Sequence, residues 1–348
     1  MGAYVARTAG HFGRFLAMPN VIPPLTGGQA VADYRRSIES ALSRAGRAVP
    51  EVPEARDRRS ARPVPAARSG SAIVLPTFKL VPGMGRDAVL SCAAAGAIAG
   101  KYYPAGATTN ASDGVTDPSD VAEELSAMQD AGLVLSIHGE DPGAPALERE
   151  AAFLPVVDRL VAAYPRLRIV LEHLSTAAAV DAVSGWPDRV AATLTAHHLS
   201  FTIDDLLGDR LRTSLFCKPV LKYAADMDAL VKAAVSGSPR FFFGSDSAPH
   251  PPAAKAGGAA GSYSAPVAMA LVAAVFDRAG ALPLLERFVS ENGARFYGLP
   301  PNTGRLNVYE EEWVVPALVD DVEPLCAGMT LRWQAGRLPQ AHEMRMGQ

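Results

Sequence analysis

The feature that most constrains the fold is an alternation between short apolar segments and segments with helical spacing, repeated along most of the chain. Seven segments have the composition of buried strands: residues 15–18, 72–76, 97–102, 133–138, 168–173, 190–196 and 241–244. Strands that alternate with helices form parallel sheets with right-handed crossovers. The pattern therefore predicts an α/β chain of the (β/α)8 barrel type, with seven of the eight strands that a closed barrel needs.

Polar and reactive side chains follow these strands at their carboxyl ends. The positions are Asn20, Lys101, His138, His173, His197, His198, Asp246 and His250. The carboxyl ends of all strands of a parallel barrel meet at one rim, so we expect these side chains to converge on one site.

Each of these residues also has a structural interpretation. A single histidine at a strand end is more often a hydrogen-bonded structural residue than a ligand. Lys101 is also consistent with a surface lysine, and Asp246 is consistent with a cap of the helix that follows it. Together, two imidazoles, a carboxylate and a lysine predict a site for a borderline cation such as Zn²⁺. A buried lysine is an unusual neighbour for a cation unless its amine is converted to an anion.

Composition limits the partners and the compartment. With 33 basic and 36 acidic residues the net charge is −3, so no excess of positive charge favours a nucleic acid or a membrane surface. The longest apolar run, residues 267–276, is shorter than the roughly 18 residues of a spanning helix. Three widely spaced cysteines favour a reducing, cytoplasmic compartment. A transit peptide is the alternative at the Arg-containing N-terminus, but a strand and loop already begin near residue 14.

We expect residues 1–348 to form a single metal-dependent hydrolase barrel with two additions. Residues 43–70 hold seven arginines, four prolines and no aromatic residue, which predicts a disordered insertion; a nucleic-acid role for this basic run is the less favoured alternative. Residues 306–338 alternate apolar and polar side chains and predict a small extended C-terminal appendage.

Several motifs extend this interpretation to a known family. They are MPNVIPP (18–24), KYYPAGATTN (101–110), HGE (138–140), EH (172–173), FCKP (216–219), GSDSAPH (244–250) and ENGARFYGLP (291–300). In combination they resemble the single-domain dihydroorotases, members of the amidohydrolase superfamily of (β/α)8 barrels. The resemblance covers almost the whole chain apart from the insertion.

The resemblance implies a site with two zinc ions. Lys101 matches a lysine that CO₂ carboxylates and that bridges both ions, which accounts for a lysine in a cationic site. His138 and His173 match ligands of the more exposed ion. Asp246 matches a ligand of the other ion and also the general acid/base.

The resemblance also implies the groups that bind substrate. Asn20 and His250 match residues that hold the substrate carboxylate, and the backbone near Lys218 and Ala260 matches groups that contact the pyrimidine ring. Thr108 and Thr109 match a mobile loop over the substrate. His197 and His198 receive no role.

The implied reaction is the reversible cyclisation of N-carbamoyl-L-aspartate to L-dihydroorotate in the biosynthesis of pyrimidines and UMP. A hydroxide between the two metals would attack the ring amide while Asp246 moves its proton to the leaving nitrogen. The implied partner is thus a small-molecule substrate, and a homodimer stays open.

One departure from the family pattern bears on activity. The family's first strand carries His-x-His followed by Arg, which hold the buried zinc and the substrate carboxylate, and this sequence has no His-x-His. Either the sequence is N-terminally incomplete or the protein has lost the site. We favour the first explanation, because losing a core strand costs more than a domain's stability of about 5–15 kcal/mol. We expect the 348-residue chain to be impaired. The alternatives are a non-catalytic barrel subunit or scaffold, or another cyclic-amide hydrolase such as a hydantoinase, which Asn20 and His250 disfavour.

Overall fold

A computed structural model describes residues 2–45, 72–302 and 304–336. Its main sheet has seven parallel strands in sequence order. They are β1 (Arg14–Ala17), β2 (Ile73–Leu80), β3 (Ala99–Tyr102), β4 (Val134–Ile137), β5 (Arg168–Leu171), β6 (Val190–Leu194) and β7 (Phe241–Phe243). The sheet curls into an open barrel, and within the described ranges β1 and β7 each pair with a strand on one side only. The predicted barrel class and the strand count are confirmed.

Eleven helices accompany the strands in the described residues. They are α1 (Gly2–His11), α2 (Gly28–Arg44), α3 (Gly85–Ala94), α4 (Ala122–Asp130), α5 (Arg149–Ala163), α6 (Ala177–Gly185), α7 (Ile203–Leu207), α8 (Ala224–Val235), α9 (Pro252–Ala256), α10 (Ala268–Arg278) and α11 (Asn292–Phe296). Short 3₁₀ turns lie at Pro118–Val121, Thr213–Leu215 and Leu282–Leu284, and a π turn lies at Arg287–Glu291. Asp117 caps the first 3₁₀ turn through a capping box, as its position before Pro118 predicts.

Alternate strand residues face opposite sides of the sheet, and both sides are covered. Outward residues such as Phe78 and Leu135 pack in the main core beneath the helices. Inward residues form a separate cluster inside the barrel (Ala99, Val134, Val170, Ala191 and Phe242), against which Phe296 and Tyr297 pack. A parallel sheet buried on both faces explains why the strands are almost continuously apolar. The inward polar positions of the same strands are therefore the ones available for chemistry.

A two-stranded antiparallel sheet follows the barrel. Its strands are β8 (Asn307–Val314) and β9 (Thr330–Gly336), within the stretch for which an extended appendage is predicted. Arg332 on β9 forms an ion pair with Asp277 of α10, at 3.1 Å between Nη1 and Oδ2. Helix α2 continues to Arg44, so the first residues of the predicted insertion are helical; its residues 46–70 lie outside the described part of the chain.

The sequence pattern makes two further local predictions: a helix over residues 147–164 that is interrupted near Pro155, and an extended segment over residues 211–217. Both are wrong. Helix α5 is continuous with Pro155 inside it. The buried residues Phe153 and Val157 hold the helix on either side, and this packing outweighs the lost backbone hydrogen bond. Residues 211–217, expected to be extended, contain the 3₁₀ turn at Thr213–Leu215.

None of the described helices is long and apolar enough to cross a membrane.

Candidate active site

One cavity at the carboxyl ends of the strands brings the predicted site residues together. It has a volume of about 1760 Å³ and opens between the outer strands β1 and β7, where α1 lines it. Its wall includes all ten of them: Asn20, Lys101, Thr108, Thr109, His138, His173, Lys218, Asp246, His250 and Ala260.

The centre of the site is a pair of histidines at the ends of β4 and β5. His138 Nδ1 lies 3.2 Å from His173 Nε2, and both side chains are buried. On its other side, His138 Nε2 lies 2.7 Å from Glu140 Oε2. Metal-ligating histidines characteristically donate their second ring N–H to a carboxylate, which fixes the tautomer. The two facing nitrogens are therefore arranged to share one cation, and Glu140 orients the first of them.

Electrostatics keep both imidazoles neutral, the form that binds metals. Burial lowers the pKa of His138, with a smaller contribution from Lys101, while Glu140 opposes the shift. Burial also lowers the pKa of His173 well below the usual value, and the neighbouring His138 and Lys101 act in the same direction. No proton has to be removed from either ring before a cation binds.

Lys101 ends β3 on the inner face of the barrel, where its side chain is 3% exposed. Burial lowers the pKa of its amine, although Glu172 and Asp246 oppose the shift. The Nζ atom lies 5.4 Å from the centroid of the Tyr103 ring. A lowered pKa enlarges the fraction of neutral amine, which is the form that reacts with CO₂. The surroundings of Lys101 thus fit a carboxylated lysine.

Glu172 is a buried carboxylate to which the sequence assigns no role. It accepts hydrogen bonds from the hydroxyls of Ser136 and Thr193, the latter at 2.7 Å. Thr193 Oγ1 in turn accepts the backbone N–H of His173 at 2.7 Å. This network fixes the backbone from which His173 projects. Its sequence signal is weak, since it consists only of inward polar residues on adjacent strands.

Asp246 follows β7 and lines the same cavity. Its side chain is open to the cavity yet enclosed by protein on the other sides, and this burial raises the pKa of its carboxyl to about 6, against the pull of Lys101. The backbone is left-handed at Asp246, with φ 40°, and also at His173, with φ 48°. Strained strand ends of this kind cluster at functional sites, where they aim a side chain.

The residues predicted to bind substrate lie along the same cavity. His250 Nε2 lies 3.0 Å from the carbonyl oxygen of Ala260, so the ring and the loop it faces are held together. Lys218 Nζ donates to the carbonyl of Ala107 at 3.1 Å, at the base of the loop that carries Thr108 and Thr109. Lys79, a buried lysine on β2, secures the far end of this loop through the Asn110 carbonyl and the Asp113 carboxylate. Sequence analysis does not identify this anchor.

His197 and His198 lie elsewhere, near Cys217, in a fully buried cluster whose donor atoms are within 4.8 Å of one another. Both ring nitrogens of His198 already have partners, Thr195 Oγ1 at 2.8 Å and the Pro219 carbonyl at 3.0 Å. The Cys217 thiol donates to the same carbonyl at 3.2 Å, and burial raises its pKa above the usual range. These bonds leave only the His197 ring nitrogens without a hydrogen-bond partner in the described structure, so the cluster does not present three available ligands to a metal.

Comparisons with known proteins agree with this geometry. Residues 90–310 match the sequence model of the amidohydrolase family. A dihydroorotase from Leptothrix cholodnii is 40% identical over 343 residues, which cover 96% of this chain and 93% of the relative. The chain belongs to the dihydroorotases of the amidohydrolase family.

Two solved dihydroorotase structures are similar throughout. The Saccharomyces cerevisiae dihydroorotase, in complex with 5-fluoroorotic acid, superposes with a TM-score of 0.82 at 34% identity, covering 97% of this chain and 94% of that one. The Campylobacter jejuni dihydroorotase gives a TM-score of 0.83 at 31% identity, covering 97% and 92%. The similarity to dihydroorotases therefore extends over the whole barrel.

Proposed function

We propose that the cavity is a dihydroorotase active site, which interconverts N-carbamoyl-L-aspartate and L-dihydroorotate in pyrimidine biosynthesis. The observation that carries the proposal is the facing pair of His138 Nδ1 and His173 Nε2, 3.2 Å apart, in a cavity that Lys101 and Asp246 also line. Two neutral imidazoles, a deprotonatable lysine and a carboxylate are among the donors that a zinc amidohydrolase uses.

The ions that these residues would hold are Zn²⁺. His138 and His173 would bind one ion, Asp246 the other, and Lys101 both once it is carboxylated. When bound, the ions polarise the ring amide carbonyl and make water nucleophilic near neutral pH. The side chain of His173 fits this assignment, because its Nε2 faces His138 Nδ1 at 3.2 Å and both nitrogens would be able to bind the same ion.

Asp246 is the residue placed to move the proton. It lines the same cavity as the two histidines, so it can accept a proton from attacking water and deliver it to the ring nitrogen that leaves. In the direction of ring closure the same carboxyl takes the proton from that nitrogen. Its position on the rim, open to the cavity, gives it access to substrate.

Substrate recognition would come from the other side of the cavity. Asn20 and His250 would hold the carboxylate, the backbone near Lys218 and Ala260 the ring, and Thr108 and Thr109 would close over the bound molecule. The loop with the two threonines is suited to this, because Lys79 and Lys218 fix its ends and leave its centre unattached.

Three further proposals concern the chain as a whole. We treat residues 1–348 as one hydrolase barrel with the β8–β9 sheet as an appendage, and we place the enzyme in the cytoplasm. Three free, buried thiols among the described residues support a reducing compartment. A homodimer stays open. Full activity would need a His-x-His-x-Arg segment, which these 348 residues do not contain.

The test compares two proteins: the chain as it stands, and the same chain with the His-x-His-x-Arg strand of a relative fused before Met1. Both are loaded with zinc and bicarbonate, and cleavage of dihydroorotate is measured. We expect turnover from the fusion, little from the chain alone, and none from a fusion carrying Asp246→Asn. Turnover from the chain alone that equals the fusion would refute the requirement for the added segment.

A non-catalytic barrel is the second candidate, and the missing His-x-His favours it. It would be supported if the fusion folds and binds zinc but does not cleave dihydroorotate. Circular dichroism and metal analysis of the purified fusion separate this result from simple misfolding.

A further inference from the structure

Lys255 is a buried charge on an otherwise exposed segment. It belongs to the short helix α9, where its neighbours from Pro251 to Gly258 are exposed or half-buried. The side chain of Lys255 turns inward and is 7% exposed. Burying an ammonium group is costly unless its donors are satisfied. A buried lysine does not serve solubility, so its contacts must have another role.

Three backbone carbonyls surround the ammonium group. Lys255 Nζ donates to the oxygens of Phe216 at 2.9 Å, Ala259 at 2.9 Å and Gly261 at 2.7 Å. A lysine has three N–H donors, so this cage uses all of them. No carboxylate in the described part of the chain forms an ion pair with Lys255. The positive charge is thus held directly by neutral dipoles, and the Glu323 carboxylate acts on it without forming an ion pair.

The three carbonyls belong to the two segments that face the substrate in the proposed function. Ala259 and Gly261 flank Ala260, whose carbonyl contacts the His250 ring at 3.0 Å. Phe216 lies two residues before Lys218, and its carbonyl also accepts the N–H of Gly261 at 2.8 Å. Lys255 therefore reinforces a junction between the two segments that the backbone bond from Gly261 to Phe216 also holds.

The loop around Ala260 has few side-chain contacts of its own that could hold this geometry. Gly261 has φ +143°, a conformation that side chains rarely adopt, and a Cβ there would lie 2.8 Å from His250 Nε2. The stretch from Ala253 to Gly261 consists of alanine and glycine apart from Lys255. Small residues provide few packing contacts, so the three bonds of the ammonium group add a polar restraint to the backbone bonds of the loop.

We propose that Lys255 is the positioning residue for recognition of the substrate carboxylate: its caged ammonium fixes His250 and the Ala260 backbone, and its positive charge favours an anion beside them. This inference rests on the proposed function, because it assumes that His250 and Ala260 face the substrate. It concerns binding and assigns Lys255 no part in proton transfer.

The test measures binding of orotate, which has the pyrimidine ring and carboxylate, to the full chain by calorimetry with zinc present. Lys255→Met removes the charge and all three donors at similar length, and we expect its affinity to fall about tenfold or more. Lys255→Arg keeps the charge, but a planar guanidinium cannot place three donors around one point, so we expect an intermediate affinity.

Lys222→Met is the matched control. Lys222 is also buried, at 4% exposure, but it makes a single long contact, 3.4 Å, to the Ala146 carbonyl and does not reach the Ala260 loop. We expect it to lower the melting temperature and leave the affinity for orotate unchanged. An equal loss of affinity in Lys222→Met and Lys255→Met would show a general effect of destabilisation and overturn the proposal.

Two other outcomes would also overturn it: wild-type affinity in Lys255→Met, or no orotate binding by the wild-type chain. If Lys255→Met does not fold, the comparison of Lys255→Arg with wild type decides, and equal affinities would contradict the role of the cage. Because the readout is binding, the result is independent of turnover. A fusion with the added His-x-His-x-Arg strand that binds orotate but does not cleave dihydroorotate contradicts the proposed function alone.

Discussion

Glu150 gives a quantitative test of how burial acts in this barrel. It lies in the first turn of α5, is 1% exposed, and accepts the backbone N–H of Ser175 at 2.9 Å and the hydroxyl of Thr176. Burial raises the pKa of its carboxyl from 4.5 to about 7, although the hydrogen bonds and Lys222 oppose the shift, and Glu140 adds to it. The ionised form is therefore costly in the folded state.

The sign of the pH dependence follows from this shift. Between the unfolded pKa of 4.5 and the folded pKa of about 7, the native state holds a proton that the unfolded state has lost. Stability from this group is thus fully present below pH 4.5 and is lost as the pH rises through 7. At about 1.4 kcal/mol per unit the full effect is on the order of 3 kcal/mol.

Glu150→Gln removes the titration while keeping an oxygen for Ser175 and Thr176. The free energy of unfolding, from urea titrations at about pH 5 and about pH 8, should fall with pH in wild type by about 2 to 3 kcal/mol more than in the variant. Glu148→Gln, at an exposed neighbouring position, is the control and should run parallel to wild type. Parallel profiles for wild type and Glu150→Gln would refute the argument.

Three further predictions concern the site and its supports. Glu140→Gln should weaken zinc binding about 10- to 100-fold in a chelator competition, because the carboxylate no longer orients His138. Gly244→Ala should lower the free energy of unfolding by about 1 to 3 kcal/mol, since the new Cβ would lie 2.8 Å from Thr193 Cβ on β6. Lys79→Met should speed amide hydrogen exchange in the loop after β3, whose end this lysine anchors, without affecting exchange in the strands.

The fold could be predicted from sequence because each strand is short, apolar and followed by a helical pattern. The strand predicted at residues 72–76 extends in the structure to Leu80. The prediction is too short because Thr77 and Lys79 are polar, although both face inward and are buried. The predicted interruption of α5 near Pro155 is wrong because it rests on the low helix propensity of proline alone. In the structure, burial of one helix face keeps α5 continuous.

The candidate site was partly accessible to the same reasoning. Strand ends converge in any parallel barrel, so the distance between His138 and His173 follows from topology. The supporting groups do not follow from it. Glu172 supports the site by accepting hydrogen bonds from hydroxyls on two other strands. Lys255 lies in a stretch of alanine and glycine that has the composition of an exposed loop. Contacts between residues distant in sequence leave no local pattern.

Three buried lysines illustrate how the surroundings, more than the residue type, determine what an amine can do. Lys79 pairs with Asp113 and acts as an anchor, while Lys255 is caged by carbonyls that hold it as a cation. Lys101 makes no hydrogen bond within the described ranges and lies instead near two carboxylates and the face of Tyr103. Each of its neighbours attracts a cation but none occupies its donors, so of the three amines that of Lys101 is the one without a hydrogen bond in the described residues. The role proposed for Lys101 depends on this difference, which its strand-end position does not reveal.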